Sequence, residues 1–245
     1  MRWRFLSGNA IKIIAAITML SDHIGYILFP RIEIFRIIGR LAFPIFAFMI
    51  SEGARYTKNK WRYLLSMAIW GIVCQIPMIV LFQDYHFNIF VTFTLSIALI
   101  YALDLFKRQI FLKERDIFVT LFSVMTALCV LGFVFLLTHS NEFHIDYGFF
   151  GVLLPVFASL FSVRGIPSAP VFALCLDTLP FRILCMLIPA IALSYEMGDI
   201  QWFSLISLPL LLLYSGKRGK WNMKYFFYIF YPAHMVVLYG ISLLI

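Results

Sequence analysis

Apolar residues run along this chain in stretches far longer than one helix stripe, separated by short polar, often basic, connections. Nine runs stand out: 9–29, 37–54, 63–82, 88–106, 116–137, 147–163, 168–195, 201–214 and 225–245. A membrane-crossing helix takes about twenty mostly apolar residues. Backbone groups in lipid must bond internally, which leaves only helices or closed barrels, and the alternating pattern of barrel strands is absent. The pattern therefore predicts an all-α, polytopic transmembrane helix bundle of about nine helices, as one domain over residues 1–245. Two runs are irregular. The 168–195 run is too long for one straight helix and holds Pro170, Asp177, Pro180, Arg182 and Pro189. It predicts a broken or strongly tilted helix, or a short re-entrant piece followed by a span. The 201–214 run is short, and a partly interfacial position suits it.

Composition agrees. The chain is 62% hydrophobic and 13% charged, with a mean hydropathy of +0.93, whereas soluble domains are about 45–50% apolar and about 25% charged. The lipid bilayer is thus the first partner, and no stretch has the composition of a separate soluble domain. The basic start runs into apolar residues, but no small-x-small cleavage pattern follows, so the first run reads as a retained helix. The net charge of +8 would point to nucleic acid in a soluble chain; here it belongs to the loops. Clusters at 2–4, 55–62, 107–115, 164 and 217–224 all fall on one side of a nine-helix arrangement, opposite Arg31, Arg36, Glu33, Asp84, Glu142, Asp146, Glu196 and Asp199. The positive-inside rule then expects a cytoplasmic N-terminus and a C-terminus outside. Cys74, Cys129, Cys175 and Cys185 lack C-x-x-C spacing and sit in apolar runs, which argues for core filling and against a metal. No internal repeat is visible, which counts against a secondary transporter.

The candidate chemistry concentrates in residues 18–53, where Asp22, His23, Arg40 and Glu52 interrupt apolar sequence. Each such charge costs about 2.5–3.5 kcal/mol at a bilayer centre, so each needs a reason. Asp22 and His23 are helix neighbours pointing about 100° apart; an acid near a base in apolar surroundings suits general-base chemistry, and a polar pair joining helices is the bland alternative. Arg40 is placed to meet Asp22 or His23 across the first loop, as a carboxylate or oxyanion partner, or else snorkels to the interface. Glu52 lies about 18 Å farther along the helix and heads toward the loop with Arg55, where a structural partner is expected. Pro44 predicts a kink. In the last run Tyr228, Tyr231 and His234 share one broad face beside Pro232, with His234 about 15 Å deep. Asp146 opens the sixth run, as a helix N-terminal acid or a site residue, and His139 and His144 lie near it without metal-ligand spacing.

The motifs SDHIGY, GRLAFPIFAFMISEG, DYGFFGVLLP, YSGKRG and YIFYPAH, in this order, together resemble the TraX family, polytopic bacterial proteins named for the pilin acetylase of conjugation systems. The resemblance implies transfer of an acetyl group from acetyl-CoA, the acetyl donor, to a peptide or glycan acceptor at or beyond the membrane. By position it points to Asp22, His23, Arg40, Glu52, Asp146 and His234. Within that reading His23 or His234 is the base, Asp22 orients or charge-tunes it, and Arg40 steadies the oxyanion or the acceptor; an acetyl-histidine path is also open. Tyr228, Tyr231, Asp146 and Glu52 are expected at the substrate. Lys217, Arg218 and Lys220, beside Gly216 and Gly219, are the expected dock for the CoA phosphates, or simple positive-inside loop charges. Competing readings are a proton-coupled transporter or flippase that uses Asp22, His23 and Arg40 as a relay, and a structural membrane subunit of a secretion or pilus assembly.

Overall fold

The computed structural model describes residues 3–83, 85–112, 115–139, 144–166, 169–221 and 223–244. Arg2, Asp84, Lys113 and Glu142, used above in the loop-charge argument, lie outside them. Among the described residues the architecture is all helix: α1 (Gly8–Ile27), α2 (Glu33–Gly39), α3 (Ala42–Tyr56), α4 (Lys60–Phe82), α5 (Ile89–Phe111), α6 (Ile117–Thr138), α7 (Gly148–Ser159), α8 (Val171–Leu176), α9 (Leu179–Met197), a 3₁₀ helix η1 (Asp199–Ile206), α10 (Ser207–Leu211) and α11 (Lys224–Ser242). Seven spans, with α2 and α3 counted as one over Glu33–Tyr56, are long and apolar enough to cross a membrane. Two shorter apolar helices, Gly148–Ser159 and Asp199–Leu211, accompany them. The nine runs thus resolve into seven long helices and two short ones, and the chain is a multi-pass membrane protein.

Proline and buried charge set the breaks. Pro44 would press its ring on the carbonyl of Arg40, four residues back, and the helix is interrupted there, between Gly39 and Ala42. The 168–195 run breaks at Asp177 and Thr178, where the Asp177 carboxylate accepts from Arg55 at 2.8 Å and from the Val163 amide at 3.2 Å. Helix α7 ends at Ser159 rather than 163. Lys107 Nζ donates to the carbonyls of Ser159 (3.1 Å) and Ser162 (2.7 Å), supplying donors beyond the helix end.

Helix α3 is the most enclosed of the seven spans and α6 the least. Phe48, Ile45 and Ala47 of α3 are fully buried against Ile11 and Ala15 of α1 and Met186 and Leu193 of α9. Phe118, Phe122 and Leu136 of α6 are exposed, as lipid requires. At the end carrying the basic loops, the chain after α10 returns to the start of α1. Gly8 and Asn9 donate their amides to the carbonyls of Lys217 (2.7 Å) and Arg218 (3.0 Å), and Ser7 caps the Ala10 amide. The returning turn needs Gly216 and Gly219, at φ of 76° and 102°, where a side chain is strained.

Glu52 does not pair with Arg55. Arg182 Nη1 reaches it at 2.6 Å, with both groups buried, and the same guanidinium donates to Ala158 O (2.8 Å) and Ser51 Oγ (3.1 Å). Spacing of three residues would allow that pair, but each group is taken by a closer partner from another segment: Glu52 by Arg182 of α9, and Arg55 by Asp177 at the α8–α9 break. Burial and the Glu52 charge push the Tyr214 phenol up, so it stays protonated and hydrogen-bonds the same carboxylate. Removing one member of a buried pair costs about 3–5 kcal/mol. R182M is therefore expected to lower the thermal unfolding temperature of the detergent-solubilised protein sharply, and the double variant R182M/E52L to recover part of the loss. A double variant no better than the single one would show that the pair does not hold α3 to α9.

Candidate functional site

Helix α1 brings His23 to the inner surface of the bundle, and α11 brings His234. Their rings meet, with His23 Nδ1 and His234 Nε2 2.7 Å apart. The second nitrogen of His234, Nδ1, lies 2.6 Å from the carbonyl of Phe230. A carbonyl only accepts, so Nδ1 carries the proton and Nε2 of the neutral ring is an acceptor. Nε2 takes its hydrogen bond from Nδ1–H of His23. Nε2 of His23 is left as the basic nitrogen of the pair, directed by a chain that ends on a backbone oxygen. The Phe230 ring stacks on His234 (centroids 4.9 Å, 17°), and Tyr231 meets both imidazoles edge-on at 6.4 and 5.9 Å.

Asp22 does not orient His23. Its Oδ1 accepts from Arg40 Nη2 at 2.5 Å, with Arg36 Nε at 3.7 Å, because adjacent residues on α1 face different neighbours. Arg40 is buried rather than snorkelling. Its Nε donates to Arg36 O (3.4 Å) and its Nη1 to the buried Gln201 Oε1 (3.3 Å). Gln201 reaches it from η1, where three residues per turn align Gln201, Ser204 and Ser207 on one buried face. Gly39 makes the Asp22–Arg40 contact possible, since a Cβ there would overlap the Asp22 side chain.

Asp146 does not cap α7. Tyr147 holds the N-cap position, at φ 61°, with no side-chain cap. Asp146 is held through its backbone, its amide donating to Phe87 O (2.9 Å) and its carbonyl accepting from Thr92 Oγ1 (2.8 Å), and it lies within electrostatic range of Arg40. The Tyr147 ring stacks on Phe43 at 3.7 Å. Burial pushes its phenol up against the pull of Arg40, leaving a protonated hydroxyl group in this polar cluster. His144 sits beside His86 (ring centroids 5.1 Å), and no metal-holding group of three or more ligands occurs among the described residues.

A cavity of about 600 Å³ runs between α1, α3, α4, α5 and α11 from the basic end toward the histidine pair. Asn9, Lys12 and Arg218 line its basic end, together with Met49, which reaches Gly8, and Tyr63, which reaches Gly53; Met67 also lines it, and Met19, Phe90 and Tyr231 line the part nearest the histidine pair. Neither histidine lines the cavity; Met19, one turn before His23, and Tyr231, one turn before His234, bring its lining within a helical turn of the pair. Tyr228 and Glu52 also line it. A second hollow, about 760 Å³, lies outside the mouth against Arg4, Lys217, Lys220 and the shared Arg218. The structure thus brings Lys217, Arg218 and Lys220 together in one hollow, and Tyr228, Tyr231 and Glu52 into one cavity, while Asp146 stays with Arg40 outside it. Lys12, Arg182, Gln201 and Tyr147 were not singled out as site residues from the sequence. For Lys12 a signal existed: it shares one α1 face with Met19 and His23.

A family model described as TraX protein matches residues 7–242. Over 252 residues the chain is 25% identical to the probable fimbrial assembly protein FimC, serogroup H1, of Dichelobacter nodosus, covering 95% of this chain and 94% of that protein. Over 94 residues it is 37% identical to an uncharacterized protein of Rickettsia prowazekii (strain Madrid E), covering 38% of this chain and 36% of that one. No solved structure matches.

The close approach at Gly39 gives a direct check on the cluster. G39A must displace Asp22 from Arg40, and overpacking of this kind costs about 1–3 kcal/mol. A lower thermal unfolding temperature for purified G39A is expected; an unchanged one would mean that Asp22 has another resting place.

Proposed function

The chain belongs to the TraX family, and from that premise we propose that it is a membrane-embedded acetyltransferase that moves an acetyl group from acetyl-CoA to an acceptor at the opposite end of the bundle. The observation that carries the reading is the His23–His234 pair within one helical turn of Met19 and Tyr231, which line a cavity that is cationic at its basic end and largely apolar farther in. That order of surfaces suits a donor with an anionic head and a thin neutral arm. The orientation that goes with it has the basic end and the N-terminus in the cytoplasm, where the donor is made, and the C-terminus outside.

His23 Nε2 is the general base. It takes a proton from the acceptor amine or hydroxyl as that group attacks the acetyl carbonyl carbon. A C–N or C–O bond forms, the C–S bond breaks, and the proton passes from His23 to the departing sulfur, which leaves as a thiol. His234 holds the His23 ring in the required tautomer and shares the transient positive charge. Arg40, held by Asp22 and Gln201, stands with Tyr147 and Asp146 on the acceptor side. The name of the Dichelobacter nodosus relative, a probable fimbrial assembly protein, favours a peptide acceptor in a surface fibre over a glycan.

The test is transfer of labelled acetyl from acetyl-CoA by purified protein. H23A is expected to lose about a hundredfold or more. H234Q, which keeps an acceptor for His23 Nδ1–H, is expected to retain more activity than H234A. Full activity in H23A, or in D22N and H23A alike, would sink the mechanism.

A further inference from the structure

We propose that Lys12 is the anion anchor of the cavity, gripping the diphosphate of a CoA-type donor at the distance from His23 that its pantetheine arm spans. The inference rests on the acetyl-transfer reading above and adds a ligand contact to it. Lys12 lies inside the apolar first span, with its ammonium 5.8 Å from the Phe227 ring centroid, and makes no ion pair among the described residues. Arg218 is within electrostatic range of it, adding like charge. The acid in the same cavity, Glu52, is committed to Arg182 and Tyr214. The first amides of α1 cannot serve an anion, because the carbonyls of Lys217 and Arg218 and the hydroxyl of Ser7 already take them. Anion binding at this mouth therefore falls to side chains, and Lys12 is the cation set deepest along α1.

The spacing identifies the ligand class. Eleven residues separate Lys12 from His23, about 16 Å of helix rise, and their directions differ by only about 20°. Between the phosphorus and the sulfur of phosphopantetheine lie thirteen bonds; at the roughly 1.2 Å advance per bond of an extended chain this is about 16 Å. A thioester carbonyl attached to that sulfur then arrives beside the histidine pair while the phosphates meet Lys12. The neutral arm passes Met67, Phe46 and Met19 on the way. Arg4, Lys217 and Lys220 of the outer hollow are left for the remainder of the nucleotide.

The test is equilibrium binding of CoA and of pantetheine, which lacks phosphate, to the full chain in detergent, alongside labelled transfer from acetyl-CoA and S-acetyl-pantetheine. With K12Q the affinity for CoA is expected to fall about tenfold, as loss of one charge-assisted contact predicts, while pantetheine binding stays unchanged and K12R restores CoA. Equal CoA affinity in wild type and K12Q, or an equal fall for both ligands, would overturn the anchor. Lys12-dependent CoA binding without any acetyl transfer would uphold the anchor and remove the acetyltransferase reading. No CoA binding by the wild type would end both.

Discussion

A charge enclosed in a bundle that faces hydrocarbon must find its counter-charge inside the protein, and most of this structure follows from that constraint. Asp22 meets Arg40, Glu52 meets Arg182, Asp177 meets Arg55, and Asp104 meets Lys60 and Lys107. Every one of these pairs except Asp104–Lys107 joins separate segments of the bundle, two of them through a helix interruption. The pairs decide where the chain breaks as much as the prolines do: the α2–α3 interruption presents Arg40 to α1 and η1, and the α8–α9 interruption presents Asp177 to Arg55. Van der Waals packing alone would hold helices of this composition without choosing among rotations. The buried pairs choose.

The polar groups that escape this pairing mark the cavity. The histidines satisfy each other and a backbone carbonyl rather than a carboxylate, which leaves one imidazole nitrogen for chemistry. Lys12 has an aromatic ring and a like charge for neighbours. Neutralised charges build the frame, and the cavity runs from Lys12 toward the histidine pair.

Helix α1 relates those two places. One face carries Lys12, Met19 and His23, and a neighbouring direction carries Asp22 to the Arg40 cluster. A single rigid element thus places Lys12 in the cavity, the histidine pair a few turns farther on, and the Arg40 cluster on a neighbouring face. Helix α11 completes the arrangement by lining the cavity with Tyr228 and Tyr231 and supplying His234 to the pair.

The helical bundle, the broken 168–195 segment and the short 201–214 segment were legible from the sequence, because hydropathy and proline act locally and lipid leaves the backbone one spanning choice. So was the grouping of Asp22 with Arg40, since a short loop forces the ends of consecutive helices together. The partner of Glu52 was not legible: Arg55 is near in sequence and correctly spaced for a pair, but packing gives Arg55 to Asp177 and brings Arg182, 130 positions away, to Glu52. The meeting of His23 with His234, 211 positions apart, and the tautomer it imposes were equally out of reach, as was Lys12, which looks like an isolated interruption until the cavity beside it is seen. Sequence by itself determined the spans, their breaks and which residues were too costly to be idle, because those depend on each residue's own transfer energy. Tertiary structure alone decided which of those residues face one another, because rotation about a helix axis and the choice of neighbour are settled by packing between distant segments.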